Sequence, residues 1–280
     1  MKVCTTIADT QKALRGCNQP VGAILTMGAL HEGHLTLVRQ ARQECSTVVV
    51  SIYVNPTQFG DQTDLATYPR NIQKDIRMLR DEGVDIVFTP IDSEMYPQEF
   101  DTWVEPGKVA RRLEGQHRQK HFRGVCTIVL KLFNTFHPDR SYFGQKDAQQ
   151  IVVIRRMVKD LALGVEIIAV PTVRENDGLA LSSRNINLSR TERQAAPVLY
   201  RALCMAKDFA MQGQGNASHV RNAMRKCIAK ETPANISYVS IADAETLEEL
   251  TVIDRSAVAS LAVTFGTTRL IDNVLLAKVV

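Results

Sequence analysis

Two histidines three residues apart, His31 and His34, lie in the stretch Met27-Gly28-Ala29-Leu30-His31-Glu32-Gly33-His34. Imidazole donors beside backbone N–H groups suit an anion whose charge is spread over several oxygens, a phosphate above all. An apolar run, Val21 to Leu25, precedes the stretch and reads as a buried strand. Leu35 to Cys45 follows it, with Leu35, Val38, Ala41 and Cys45 at helical spacing. The histidines therefore sit at a strand-to-helix turn. A helix start offers free N–H groups and the positive end of a dipole, both favourable to phosphate. Gly28 and Gly33 permit close backbone approach. The spacing of the histidines sets both rings on one face of a first helical turn. A zinc site fits less well: the metalloprotease pattern needs histidines four apart, and no third ligand stands out downstream.

Other residues have chemistry to offer, each with an ordinary alternative. Lys146, in Gly144-Gln145-Lys146-Asp147, occupies a second strand-to-helix turn. It suits phosphate, or the turn is a solvated helix start with Asp147 as a cap. Leu181-Ser182-Ser183-Arg184 brings hydroxyls and a guanidinium, fitting a triphosphate clamp and equally a polar linker. Gln58 and Gln150 are polar groups at strand or helix starts. Neither the P-loop pattern nor G-x-G-x-x-G after the first strand occurs, so a nucleotide site rests on the histidine turn.

Apolar patterning provides the elements that position these groups. Thr47 to Val54 is short and β-branched, hence a second buried strand. Strand, helix and strand make a βαβ unit with a parallel sheet and a right-handed crossover. Asn55-Pro56-Thr57-Gln58-Phe59-Gly60 leaves that strand on the rim where the histidine turn lies. Ligands of open α/β sheets bind beyond the carboxyl ends of the strands. Arg70 to Glu82 reads as a helix with Ile72, Ile76 and Leu79 inward and Gly83 as its stop. Val84 to Thr89 is a strand, Asp92 to Glu105 an irregular excursion with Trp103, and Lys108 to Gly115 a short helix. A basic stretch, Gln116 to Arg123, leads into an apolar helix, Val125 to Phe136. Ser141 to Phe143 is a short strand, Ala148 to Leu161 a helix, and Val165 to Val173 the last strand of the sheet.

At Arg174 the composition turns small and polar, which sets a domain boundary. Beyond it come a long helix, Thr191 to Met211, a second helix, Ala217 to Lys230, and strands at 236–241, 258–265 and 268–272. The expected fold is α/β: a Rossmann-like parallel-sheet domain over residues 1–173, then a smaller α+β domain over residues 174–280.

The chain of 280 residues has a net charge of +4, with Lys and Arg scattered among acids. That pattern excludes a nucleic-acid stripe and suits a basic pocket for an acidic substrate. Six cysteines without a C-x-x-C pair read as reduced, buried thiols. No apolar stretch approaches the ~20 residues of a membrane span, and the N-terminus lacks a signal-peptide core. A soluble, cytoplasmic protein with neither membrane nor nucleic-acid partners is expected.

TMGALHEGH, NPTQF, HFRGV, FGQKDAQQ and VPTVRENDGLALSSRN, in this order, resemble the pantothenate synthetases (pantoate–β-alanine ligases). The resemblance covers essentially the whole chain and is densest from Thr26 to Arg184. His31-Glu32-Gly33-His34 also resembles the H-x-G-H signature of a wider nucleotidyltransferase superfamily. The family resemblance implies two steps. Pantoate's carboxylate attacks the α-phosphorus of Mg-ATP, giving pantoyl adenylate and pyrophosphate; the amine of β-alanine then displaces AMP. It implies that Met27, Gly28, Ala29, Leu30, His31, Glu32, Gly33 and His34 cradle ATP, with His34, His31 and Lys146 catalytic and His34 the proton donor. Gly144, Gln145, Lys146 and Asp147 flank the nucleotide with Leu181, Ser182, Ser183 and Arg184. Of these, Lys146, Ser182 and Arg184 contact phosphate. Val173 borders the adenine, while Gln58 and Gln150 hold pantoate. Asn55, Tyr68 and Arg118 are further family-matched candidates. The resemblance also implies Mg²⁺ with unassigned ligands, and a homodimer.

Met27 and Phe59 suit the gem-dimethyl group of pantoate, and a second domain closing over the site would keep water from the adenylate. Two positions depart from the family: Leu25 where proline is frequent, and Gln145 where glutamate is common. Another H-x-G-H nucleotidyltransferase and a non-catalytic nucleotide-binding protein are the alternative readings.

Overall fold

Up to Val170 short apolar runs alternate with amphipathic ones, and the chain folds as strand–helix repeats. The computed structural model describes residues 1–60 and 62–277. In chain order the repeats are β1 (Lys2–Cys4), α1 (Ile7–Leu14), β2 (Val21–Thr26), α2 (Glu32–Glu44), β3 (Thr47–Ile52), α3 (Gln62–Thr67), α4 (Ile72–Asp81), β4 (Ile86–Phe88) and α5 (Asp92–Met95). They continue with α6 (Glu114–His117), α7 (His121–Phe136), β5 (Arg140–Gly144), α8 (Ala148–Asp160) and β6 (Glu166–Val170). Met1–Gly144 and Val153–Pro171 form one compact unit; Gln145–Val152 and the chain from Thr172 form another.

The first unit is a Rossmann-like α/β layer structure. Its six-stranded sheet has the order β1-β4-β3-β2-β5-β6, and every pairing is parallel. From β2 the chain steps outward through β3 and β4, then returns to the other side of β2 as β5. That reversal puts the switch point at the carboxyl end of β2, where α/β sheets open a crevice for ligands. Thr26 is in register with Ile52, so β2 and β3 end together. Ile24, Val48, Val50, Leu79, Val87 and Ala41 are fully buried in the core beneath that rim.

In the second unit, α9 (Arg190–Ala195), α10 (Val198–Met211) and α11 (Ala217–Ile228) precede β7 (Ala234–Asp243), β8 (Ala257–Phe265) and β9 (Thr268–Leu276). The three strands form an antiparallel sheet in the order β7-β8-β9. Leu203, Met224, Ile228 and Phe265 are fully buried between sheet and helices.

Several expectations need correction. The first strand is β1, at the sheet edge, too short at three residues to show alternation. α2 starts at Glu32 rather than Leu35, because His31 caps it. On α4, Ile72 is 39% exposed, while Asp75 turns inward at 2%. Lys108 to Gly115 is not one helix: a 3₁₀ turn, Lys108–Arg111, precedes α6. β6 ends at Val170, since Pro171 has no N–H to extend the ladder. The helix expected from Thr191 to Met211 breaks at Pro197, which cannot donate to the preceding turn. All six cysteines are free of disulfides, but of the expected buried thiols only Cys4, Cys45 and Cys126 are buried, while Cys17, Cys204 and Cys227 are partly exposed. Among the described residues no helix is long and apolar enough to cross a membrane.

Leu79 sits on α4 with 0% exposure. Leu79→Ala is expected to cost about 2–5 kcal/mol, transfer and cavity terms together. Urea unfolding measures it, and a loss below about 1 kcal/mol would contradict the inward packing of this helix.

Candidate active site

Between β2 and α2 lies the turn Met27 to His31. His31 is the N-cap of α2, and its Nδ1 accepts the N–H of Gly33 at 3.2 Å. His34 Nδ1 accepts the N–H of His31 at 3.3 Å. The two histidines thus form a reciprocal capping box, a role Ser/Thr and Glu usually fill. Their ring centroids are 4.1 Å apart. Because each Nδ1 is an acceptor, a neutral ring carries its proton on Nε2. Both imidazoles are therefore Nε2–H donors held at a helix start.

Asp75 shapes the turn from outside it. Its Oδ2 accepts the N–H of Ala29 and its Oδ1 that of Leu30, both at 2.9 Å. Gly28 has φ 80° and Ala29 φ 51°, so two successive residues are left-handed. Glycine takes that conformation freely; alanine does so at a cost, met here by the charge-assisted bonds of Asp75. A Cβ on Gly28 would also lie 3.0 Å from Asp75 Oδ2. The N–H groups of Ala29 and Leu30 thus already have a carboxylate partner.

The neighbouring strand end carries Gln58 on a 3₁₀ turn, Pro56–Gln58. Buried Asn55 organises it. Asn55 Oδ1 accepts from Thr57 Oγ1 and Tyr96 Oη at 2.9 Å each, and its Nδ2 donates to Gln58 Oε1 at 3.0 Å. Burial pushes the Tyr96 phenol above its usual range, so it stays a neutral donor. The Gln58 carbonyl accepts from His121 Nδ1 at 2.8 Å and Arg118 Nη2 at 3.3 Å. Gln58 Nε2 lies 3.1 Å from Met27 Sδ, which ties this turn to the histidine turn. α7 approaches through Gly124, where a Cβ would fall 2.5 Å from the Thr57 carbonyl oxygen. Phe59 meets Tyr68 edge-on at 5.6 Å.

The second unit holds Gln145 to Asp147, Gln150, Val173 and Leu181 to Arg184. Gln145, Lys146 and Asp147 form a 3₁₀ turn leading into α8. Lys146 Nζ is 3.9 Å from Asp147 Oδ1. Gln150 lies half-buried in the first turn of α8. The Val173 carbonyl accepts the N–H of Leu181 at 2.9 Å. Ser182 Oγ accepts the N–H of Arg184 at 3.3 Å and caps the 3₁₀ helix Ser183–Asn187.

In the first unit the structure brings Met27, His31, His34 and Gln58 together, as the shared rim required. In the second, Val173 pairs with Leu181. Sequence reasoning missed Asp75, His121 and Gly124. Asp75 left a signal: an acid between Ile72 and Leu79 on the face read as inward. Among the described residues no group of three or more His, Cys, Asp or Glu is placed to hold a metal.

A parallel sheet with a histidine-capped helix at its switch point defines a Rossmann-like α/β protein. The chain belongs to the pantoate–β-alanine ligase family, whose pattern matches residues 2–275. It is 53% identical to the pantothenate synthetase of Roseiflexus castenholzii over 276 residues, 99% of each chain. A pantothenate synthetase structure from Thermus thermophilus superposes with a TM-score of 0.94 at 44% identity, covering 98% of this chain and 99% of that one. The Francisella tularensis ligase, complexed with beta-gamma ATP and β-alanine, gives a TM-score of 0.82 at 35% identity, covering 98% and 97%.

Asp75→Ala leaves the Ala29 and Leu30 N–H groups without their carboxylate. The expected cost is about 1.5–3 kcal/mol per charged hydrogen bond lost, read by urea unfolding together with reduced turnover. Wild-type stability and wild-type rate would refute the clamp.

Proposed function

We propose that the chain ligates pantoate and β-alanine to pantothenate, driven by ATP. The observation that carries this is the match to pantoate–β-alanine ligases along nearly the whole chain. In the first step a pantoate carboxylate oxygen forms a bond to the α-phosphorus and the bond to pyrophosphate breaks. In the second, the β-alanine amine attacks the acyl carbon of pantoyl adenylate, loses a proton, and AMP departs.

The residue roles are those the family resemblance implies, read together with the geometry of the two turns. Nε2–H of His34 and of His31 donate to oxygens on the reacting phosphate, where negative charge builds in the transition state. Met27, Gly28, Glu32 and Gly33 complete that cradle, while Ala29 and Leu30, bonded to Asp75, contribute its shape. Lys146 supplies a point charge to the phosphates, and Ser182 with Arg184 adds a hydroxyl and a guanidinium. Gly144, Gln145, Asp147, Leu181 and Ser183 flank the nucleotide, and Val173 borders the adenine. Gln58 holds pantoate through its oxygens, its carboxamide oriented by Asn55, with Met27 as the apolar neighbour. Gln150 is the second pantoate contact.

Mg²⁺ belongs to the proposal as the ion that accompanies ATP. The absence of a protein cage among the described residues suits a small cation held mainly by phosphate oxygens and water. When bound, it neutralises phosphate charge. Assembly as a homodimer in the cytoplasm completes the reading, and light scattering tests the dimer: a mass of one chain would exclude it.

A substrate-omission assay tests the reaction. AMP and pyrophosphate are expected only with pantoate present, and pantothenate only when β-alanine is added. ADP as product would contradict the chemistry. A phosphate ester that replaced pantoate in pyrophosphate exchange would favour another nucleotidyltransferase. His34→Ala and Lys146→Ala are each expected to slow adenylation about 10²–10³-fold, the usual loss on removing one preorganised donor. Near-normal rates in both would withdraw their roles.

A further inference from the structure

β9 lies at the edge of the three-stranded sheet, next to β8. Two consecutive polar residues on it, Asp272 and Asn273, are only 2% and 4% exposed. Buried polar groups need partners, and both find them in segments distant in sequence. Asn273 Nδ2 donates to the carbonyls of Gln145 at 2.9 Å and Lys146 at 2.8 Å. Its Oδ1 accepts from Gln145 Nε2 at 3.2 Å. One carboxamide thus uses both N–H groups and its oxygen on a single turn. Asp272 takes the Arg174 guanidinium in a two-point pair at 2.6 and 3.0 Å. Arg174 lies over the Tyr200 ring at 3.9 Å and donates to the Gly178 carbonyl at 3.1 Å. Arg174 also bridges to Ala180, closing the hairpin that leads directly into Leu181–Arg184.

We infer that Asp272 and Asn273 are a positioning pair that fastens the Lys146 turn and the Leu181–Arg184 segment to one strand. The inference deepens the proposed function, since it rests on the reading of Lys146, Ser182 and Arg184 as phosphate contacts. Neither segment is rigid by itself. A 3₁₀ turn of three residues has little stability of its own, and Leu181–Arg184 follows a small polar loop. A strand paired along its length is stiff, and two adjacent anchors on it set both segments in one frame. The chemistry is specific. Aspartate at 273 would aim an oxygen at two carbonyls. Lysine at 174 cannot make the forked contact to Asp272. Gln145, the departure from the family's frequent glutamate, is the donor that Asn273 Oδ1 requires.

The test compares wild type, Asn273→Ala and Arg174→Lys by hydrogen exchange on peptides covering 144–150 and 174–185. Asn273→Ala is expected to speed exchange about tenfold in the first peptide and leave the second unchanged. Arg174→Lys is expected to do the reverse. Equal acceleration in both peptides, or none, would overturn the pairing. Should Asn273→Ala fail to fold, Asn273→Ser keeps one donor and carries the same comparison. Pantoate-dependent pyrophosphate release adds a second readout. Asn273→Ala should slow it about tenfold in wild type and by less than about twofold in the Lys146→Ala background, because a residue acting through Lys146 loses its effect without it. Losses that multiply would show that Asn273 acts elsewhere. If Lys146→Ala keeps the wild-type rate, the phosphate role has failed, and hydrogen exchange still decides the anchoring.

Discussion

The first unit's site depends on one buried carboxylate. Asp75 accepts two successive N–H groups, from Ala29 and Leu30, at equal distances of 2.9 Å. Successive N–H groups pointing one way form a concavity that attracts anions. Here the anion is the protein's own side chain, brought in by α4 from 45 residues along the chain. The left-handed turn is therefore shaped before any ligand arrives. The Ala29 and Leu30 amides are thereby already partnered within the chain. Leu79, one turn further along α4 and fully buried, keeps that helix against the sheet.

A second theme is division of labour between backbone and side chains. Strand ends decide where a group stands: β2 and β3 finish in register, so the histidine turn and the Gln58 turn are neighbours. Helix starts decide which atoms are presented, as at His31. Side-chain contacts decide rigidity: Asn55 locally and His121 from farther along the chain on the Gln58 turn, Asn273 on the Lys146 turn. A reactive group gains from this arrangement because its rotamer is locked by residues that do no chemistry themselves.

How much of this the sequence revealed follows from the range of each interaction. β2 and β3 were legible because they are buried on both faces and β-branched. β1 was not, since its place at the sheet edge is decided by β4, more than eighty residues away. The histidine turn was legible as a local pattern, yet its reciprocal cap was not, because cap geometry needs ring orientation. Gln58 was found through its strand end, while His121 and Gly124, which grip it, lie about 65 residues on. Asp75 was hidden because an acid breaks the apolar pattern that marks an inward helix face. The break at Pro197 is readable from proline's missing N–H, although the apolar period runs on through it. Asn273 was beyond reach, since its partners stand 127 and 128 positions away.

The reciprocal cap at His31 and His34 also bears on what a substitution there would report. Serine or aspartate at 31, or glutamate at 34, would keep the acceptors that start α2 but remove a ring. Helix stability alone thus tolerates the loss of either imidazole, and a defect in such a variant would speak for the ring itself rather than for a frayed helix.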